Sequence, residues 1–427
     1  MRMPEKEAIR IQDTAGRVMV EINGQQMPEL ERHRTNPGYR TDKKQVFIVG
    51  CKGIPAAYGG FETFAENLTK RKKSENIRYH VARMAKDNAR YEYNHAKCFN
   101  VRIPDLGSAK AILYDIAVLR RCIQYCRVRP SVQRPVFYVL ACRVGPFIRH
   151  LKRQIRKLDG ILLVNPDGHE WQRGKWSRPV RAYWKFSEKK MVKSADLLIY
   201  DNRNIERYIQ EEYKEYRPQT LFIPYGSDVQ PSAFSDEDGR FQNWMRENHL
   251  SPGGYYLAVG RFVPENNYEI MIREFMKSDS PRSFVLITTI DRDFSGLLEK
   301  RLHFSEDARI RFVHPVYDSD LLKKIRENAY GYFHGHEVGG TNPGLLEALG
   351  STSLNLLLDV CFNREVGADA ALYWDKREGN LASLIEEADR LPEKQRADLG
   401  RKARARIAEA YNWGDIVDSY EALFLSL

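Results

Sequence analysis

From Lys43 onward, short apolar runs alternate with longer stretches whose apolar residues recur every three or four positions. Val46-Phe47-Ile48-Val49 is continuous and rich in β-branched residues, the pattern of a strand buried on both faces of a parallel sheet. Phe61, Phe64, Ala65 and Leu68 then fall at i, i+3, i+4 and i+7, one face of a helix. The alternation continues through IRYHVARM, a helix around 109–127, PVFYVLA, a helix around 147–158, GILLVNPDG, a helix over 179–194, ADLLIYDN and TLFIPYG. After the polar stretch SDVQPSAFSDEDGR it restarts with YYLAVGRF, a helix over 268–276, SFVLITT, IRFVHPV, a helix over 318–328, AYGYFHG, a helix opening near Pro343, and SLNLLLD. Such alternation predicts two Rossmann-like halves, each a parallel sheet covered by helices, joined near residues 226–252. A cleft is then expected between the carboxyl ends of the two sheets, where α/β proteins bind ligands.

The domains expected on this reading are 43–226 and 227–410. Residues 1–42 are polar and broken by Gly and Pro, and read as a loosely ordered extension. Ile416, Tyr420 and Phe424 give 411–427 a helical period, expected to pack back toward the domain junction.

Charge narrows the partners. Lys and Arg total 68 against 57 Asp and Glu, a net +11, so an anionic partner is expected. No nucleic-acid-binding motif is present, which leaves phosphorylated small molecules and acidic membrane surfaces. The six cysteines form no CxxC, so neither a disulfide frame nor a zinc site is indicated. No run approaches the ~20 apolar residues of a membrane span and the N-terminus lacks a signal-peptide core, so a cytoplasmic location is expected. From Arg143 to Lys157, six Lys/Arg and no acid accompany Phe147, Ile148, Leu151 and Ile155, a basic amphipathic helix that reads as a membrane-surface binder.

Four stretches carry chemistry. The turn between Val49 and Phe61 holds Gly50, Gly53, Gly59 and Gly60, does not fit G-x-G-x-x-G, and serves equally as a structural turn or a phosphate site. In FHGHEVGGTNPGLLEALGS a strand ends at His334, Gly339 and Gly340 open the backbone, Thr341 or Asn342 caps, and Pro343 suits the first helical position. The free N–H groups of that helix would face a diphosphate, and Glu347, one turn in, would meet ribose hydroxyls. Arg261, in AVGRFVPENN, follows the first strand of the second half and is placed to hold a leaving diphosphate. NPDGHEWQRGKWS gathers Asp167, His169, Glu170, Arg173 and Lys175 with Trp171 and Trp176, the acceptors and aromatic faces that a sugar needs. His169 reads equally well as a packed core histidine. Asp291-Arg292-Asp293 superficially matches a metal-binding D-x-D but reads as a solvated loop, and neither metal nor cofactor is expected.

VFIVGCKGIPAAYGGFET, VNPDGHEWQRGKWS, VGRFVPENN, GGTNPGLLEAL and FNREVGADAALYW together resemble the bacterial β-1,4-rhamnosyltransferases of capsule and cell-wall polysaccharide synthesis, retaining glycosyltransferases of GT-B fold. The resemblance runs in order from Lys43 to the C-terminus. It implies an α/β chain of two Rossmann-like domains facing across a cleft, dTDP-β-L-rhamnose as donor, and a polyprenyl-diphosphate-linked sugar as acceptor. Such a transferase would sit peripherally on the inner face of the plasma membrane. Asp167, Glu170 and Arg261 are the expected catalytic residues. Donor binding falls to Gly53, Gly59, Gly60, Arg261, His336, Gly339, Gly340, Thr341, Asn342 and Glu347, and acceptor binding to Asp167, His169, Trp171, Lys175 and Trp176. The chain departs from the wider pattern twice: Asn266 stands where a lysine is common, and Gly339 stands eight before Glu347 where a glutamate is common. A sugar-nucleotide epimerase on the same fold and a non-catalytic sugar-nucleotide-binding protein are the rival readings.

Overall fold

The computed structural model describes residues 9–12, 18–22, 24–28, 43–56 and 59–427. The chain forms two compact units: the first contains residues up to Trp171, Arg178–Tyr225 and Trp413–Leu427, the second Gln172–Ser177 and Gly226–Asn412.

Within the N-terminal extension, β1 (Ile9–Gln12), β2 (Val18–Ile22) and β3 (Gln25–Pro28) pair antiparallel, where the sequence predicts loose order. Val18, Val20 and Ile22 alternate with Met19 and Glu21, a period-2 pattern that the polar surroundings mask. The Gln25 amide donates to the Phe222 carbonyl at 2.9 Å and accepts the Phe222 N–H at 3.0 Å, so a side chain completes the edge of the main sheet. The rest of the extension lies outside the described residues.

The first unit is an eight-stranded sheet of β4 (Lys44–Val49), β5 (Ile77–Met84), β6 (Arg90–Tyr93), β7 (Ala96–Val101), β8 (Val136–Leu140), β9 (Ile161–Asn165), β10 (Leu197–Tyr200) and β11 (Thr220–Phe222). The order is β11-β10-β9-β8-β4-β5-β7-β6, parallel except for β6, an edge hairpin arm on β7; the alternation in the sequence predicts neither β6 nor β7. Its helices are α1 (Gly60–Lys70), α2 (Lys110–Arg127), α3 (Gly145–Arg156), α4 (Arg178–Ser194) and α5 (Arg203–Glu212). On one face Phe47 stacks between His80 and Phe137, with Tyr125 of α2 edge-on to it.

The second unit is a six-stranded parallel sheet of β12 (Tyr255–Val259), β13 (Ser283–Ile287), β14 (Ile310–Val313), β15 (Gly331–His334), β16 (Asn355–Leu358) and β17 (Leu372–Trp374), ordered β14-β13-β12-β15-β16-β17. Its helices are α6 (Gly239–Glu247), α7 (Tyr268–Lys277), α8 (Arg292–Leu302), α9 (Ser319–Glu327), α10 (Pro343–Ser351), α11 (Cys361–Gly367), α12 (Asn380–Arg390) and α13 (Glu393–Ala410). Tyr256, Phe275, Phe284 and Phe333 fill one side of this sheet; Tyr255, Leu257, Tyr332 and Ile325 fill the other. Asp291 is the N-cap of α8, accepting the Phe294 N–H at 2.9 Å, so the D-x-D-like triplet is a helix start.

In each sheet the strand order reverses once, between β4 and β8 in the first and between β12 and β15 in the second. The chain runs outward in both directions from these pairs, which leaves a crevice at their carboxyl ends.

α3 corrects the amphipathic-helix reading. Its stripe of Ile148, Leu151 and Ile155 is buried in the core of the first unit, and Lys152 is buried with it, paired to Asp196. No apolar face therefore remains to insert into a bilayer, although Arg149, Arg153, Arg156 and Phe147 stay exposed. Among the described residues no helix is long and apolar enough to cross a membrane.

The last helix, α14 (Trp413–Ser426), packs on the first unit. Its Tyr420 hydroxyl lies 3.0 Å from that of Tyr138, and its buried Glu421 carboxylate accepts the N–H groups of Lys73 at 3.0 Å and Ser74 at 2.7 Å. Glu421→Ala would leave two amides without their acceptor, that of Ser74 in the interior, and is expected to cost about 1–3 kcal/mol in urea denaturation, with Glu421→Gln, which keeps an acceptor, costing less. Equal stability of all three proteins would refute this anchoring.

Candidate functional site

At the reversal point of the second sheet two loops meet, one leaving β12 and one leaving β15. Arg261 is exposed at the start of the first loop. Asn266, in the place of the common lysine, is buried and donates from Nδ2 to the Arg261 carbonyl at 2.8 Å. It braces the turn that presents Arg261 and adds no charge. Asn267, at φ +57°, donates to the Gly335 carbonyl at 2.8 Å and to Glu337 at 3.1 Å, tying the two loops together. Gly335 allows this approach, since a Cβ there would lie 2.4 Å from the Asn266 carbonyl oxygen. Glu337 also pairs with Lys376.

The second loop begins at His334, whose ring stacks on that of His336 at 4.4 Å and 11°. Burial pushes the His334 pKa down to about 3, and His336 is also lowered, by burial first and then by His334, Arg261 and Arg173. Both rings are neutral at pH 7, and neither nitrogen of His334 has a hydrogen-bond partner among the described residues. Asn363, from the FNREVG stretch on α11, holds the His336 carbonyl at 3.0 Å.

α10 opens as its residues predict, and between the two candidate caps the structure selects Asn342. Its Oδ1 accepts the N–H groups of Gly344 at 2.9 Å and Leu345 at 3.4 Å, while Thr341 is buried. The expectation of free helix N–H groups is thereby corrected: Pro343 has none and the next two are capped. The donors left for an anion are those of the preceding loop, where Gly339 has open space around it at φ +146°. Glu347 is not a lone solvated acid. Its Oε2 lies 2.8 Å from Nη2 of buried Arg326, which fixes its direction and leaves its side chain 41 % exposed.

At the reversal point of the first sheet the turn after β4 meets the loop after β8. Gly50, at φ +102°, is obligatory there: a Cβ would lie 2.2 Å from the Leu140 carbonyl oxygen. Arg143 crosses the gap from the β8 end, donating from Nη1 to the Gly50 carbonyl at 2.8 Å and to Asp115 at 3.1 Å. Asp115 is 1 % exposed, and burial pushes its pKa up against the pull of Arg143. Asp167 and Glu170 also act on Arg143 electrostatically, so one cation serves three carboxylates. The sequence reading assigned Arg143 only to the basic helix. Its place directly after an apolar strand, the argument applied to Arg261, was the signal.

The glycine turn behaves as a structural turn at two of its amides. Lys52 N–H donates to Glu62 and Ala56 N–H to Glu66, each at 2.6 Å, so the carboxylates of α1 take the place of an external phosphate. Gly53 and Gly59 both have positive φ and no room for a side chain, with Arg83 against the one and Glu62 against the other, and Gly60 begins α1. Packing therefore accounts for these glycines by itself, and the donor contacts expected of them are no more than one of two roles they could serve.

After β9 the chain bends sharply through Asp167 at φ +61° and His169 at φ +40°, a strained stretch of the kind that concentrates at binding sites. Asp167 accepts the Gly168 N–H at 2.9 Å. His169 packs edge-on to Tyr208 at 4.2 Å, and burial, then Lys185, lowers its pKa to about 4. It is a neutral ring in an aromatic wall. Lys185 sits 4.6 Å from the centre of the Trp171 ring, and a 260 Å³ pocket lined by Trp171, Arg178, Arg181, Ala182 and Lys185 opens beside it. Gln172–Ser177 belongs to the second unit, where Lys175 lies 4.6 Å above Trp176. The sequence motif is therefore divided: Asp167, His169, Glu170 and Trp171 in the first unit, Lys175 and Trp176 in the second.

A family model described as a domain of unknown function, DUF1972, matches residues 43–228. No curated protein matches the sequence. Among solved structures, sucrose-phosphate synthase from Thermosynechococcus elongatus superposes with a TM-score of 0.72 at 15 % identity, covering 90 % of this chain and 98 % of that one. Anabaena HepE in complex with UDP and glucose gives 0.66 at 13 % identity, covering 90 % and 100 %. The α,α-trehalose-phosphate synthase of Burkholderia xenovorans in complex with glucose-6-phosphate gives 0.69 at 12 % identity, covering 90 % and 100 %. The fold is GT-B. At these identities the likeness speaks of architecture alone.

The histidines of the GT-B fold's second unit generate a pH prediction. An unfolded His334 takes up a proton near pH 6.5 while the folded one does not until about 3, so stability falls as pH drops through that interval. The slope is about 1.4 kcal/mol per pH unit for one proton. His334→Phe is expected to flatten the stability profile between pH 6 and 4 by about one proton relative to the parent; parallel profiles would refute it.

Proposed function

We propose that the chain is a retaining glycosyltransferase that moves a rhamnosyl unit from dTDP-β-L-rhamnose to a polyprenyl-diphosphate-linked sugar. The observation that carries the reading is the reversal point of the second sheet, where exposed Arg261, a neutral His334–His336 pair and an Arg326-held Glu347 surround the N-terminus of α10. A nucleotide sugar needs these features: a cation and a helix dipole for its diphosphate, an oriented carboxylate for its ribose, and neutral donors or acceptors for its hexose. A 6-deoxy sugar asks for fewer polar contacts, which suits Asn266 and Gly339 in place of the common lysine and glutamate.

In the proposed reaction the acceptor hydroxyl attacks from the face that the diphosphate leaves. The new C1–O bond forms as the C1–O bond to phosphate breaks, and the hydroxyl proton passes to the departing phosphate oxygen. Arg261 and the α10 dipole stabilise that oxygen. Asp167 and Glu170, in the field of Arg143, position the acceptor. No metal is required, because the developing charge falls on Arg261 and the helix terminus. The acceptor's lipid would hold the enzyme at the inner face of the plasma membrane, with the exposed Arg149, Arg153 and Arg156 of α3 as an electrostatic contact.

The test is incubation with dTDP-rhamnose and a synthetic lipid-diphosphate sugar, with mass and linkage analysis of the product. Retained β configuration is expected, and Arg261→Ala should lower kcat/KM by about 1.5–3 kcal/mol. Asp167→Asn should lower kcat more than donor affinity, and no rhamnosyl adduct should accumulate. An inverted α product or a trapped adduct on Asp167 or Glu170 would overturn the mechanism. Sugar-nucleotide isomerisation without acceptor would favour an epimerase, and donor binding without release of dTDP would favour a non-catalytic binding protein.

A further inference from the structure

A cavity of the first unit lies away from both loop clusters described above. It has a volume of about 620 Å³ and opens between α2 and the β5–β7–β6 edge of the sheet, where the sheet runs on beyond the helix that covers its centre. That volume falls in the range of about 300–1,000 Å³ typical of small-molecule sites. Its floor is the aromatic stack of Phe47, His80 and Tyr125, with Cys122 and Phe99 on its walls. His80 adds no charge: burial, then the field of Lys97, Arg78 and Arg129, pushes its pKa down to about 3, and its Nε2 is engaged by Gln45 at 2.8 Å.

The mouth has the opposite character. Arg90, Lys97, Arg121 and Arg129 stand around it with Glu92 as the single acid. Arg121 lies 5.2 Å from the Phe99 ring and Arg129 3.9 Å from that of Tyr125, so cations extend directly from the apolar wall. Arg90 and Lys97 have no ion-pair partner among the described residues, whereas Glu92 is 3.7 Å from Arg78. Val128, at the lip, leaves 60 % of its surface in water.

We propose that this cavity binds a single-chain anionic amphiphile, with the chain on the Phe47–Tyr125 floor and a phosphate or carboxylate head held by Arg90, Lys97 and Arg121. The neutral apolar floor selects the chain, and the net positive mouth selects the sign of the head. The site is independent of the glycosyl-transfer reading and uses none of its residues.

Dodecyl phosphate, below its micellar concentration, is the probe for calorimetry on the whole chain. One molecule per chain is expected to bind, decyl phosphate about tenfold more weakly, and inorganic phosphate not to compete. Dodecanoate should displace the probe; dodecylammonium and dodecyl maltoside should not. Arg90→Glu with Lys97→Glu, both exposed and outside the core, should weaken binding about tenfold or more with an unchanged circular dichroism spectrum. Val128→Asp, a surface change at the lip, should act in the same direction. Equal binding of the neutral or cationic amphiphile, full competition by inorganic phosphate, indifference to all three substitutions, or no binding at all would each overturn the proposal. Binding only to vesicles of anionic lipid, and not to monomeric dodecyl phosphate, would reassign the patch to a membrane surface and refute the cavity.

Discussion

The first unit depends on one contact, the bridge from Arg143 to the Gly50 carbonyl across the reversal point of its sheet. The approach is possible only because Gly50 has no side chain: the space a Cβ would need is filled by the Leu140 carbonyl. The partly buried guanidinium faces a fully buried anion, Asp115 of α2. Removing Arg143 would leave Asp115 unpaired in the interior, so the pair ties β4, β8 and α2 together at the crevice. The same requirement constrains Asp167 and Glu170, which share the field of Arg143.

In the second unit neutral amides brace the loops, next to one buried acid of the β12 loop, Glu265. Asn266 braces its own loop through the Arg261 carbonyl and Asn267 bonds across to Gly335, each with an amide that remains neutral where a lysine would add charge. The Arg326–Glu347 ion pair lies one turn into α10 and fixes the direction of the acid without neutralising Arg261. Arg261 and Glu347 thus keep access to solvent beside neutral, braced amides, as a surface preorganised for a charged ligand would.

Strands were legible in the sequence because burial on both faces leaves a continuous apolar run in each of β4, β8 and β13, and the five helices whose spans were predicted fall within two residues of their observed limits. What the sequence did not disclose follows from partners that lie far along the chain. An apolar stripe such as Ile148, Leu151 and Ile155 has the same period whether protein or lipid covers it, and only the fold brings the core to it. Lys152 counts as a surface cation until Asp196 is seen beside it. β1, β3 and β6 are short and half polar, and β2 is one five-residue run amid polar sequence, below what period-2 alternation can distinguish from a loop. Thr341 and Asn342 are both good caps by type, and the choice is made by geometry.

Two helix starts had the composition of anion sites, and their caps separate them. At α1 the amides of Lys52 and Ala56 are bound by Glu62 and Glu66, so full negative charges already compensate the positive end of the helix. At α10 the cap is Asn342, which satisfies two amides but brings no charge. The dipole field there remains, equivalent to about half a positive charge, and Arg261 shares the same reversal point. An added diphosphate would meet repulsion from two carboxylates at the first helix and attraction at the second. Cap charge, which sequence type alone shows only once the partner residue is known, therefore makes the start of α10 the more favourable of the two for an anion.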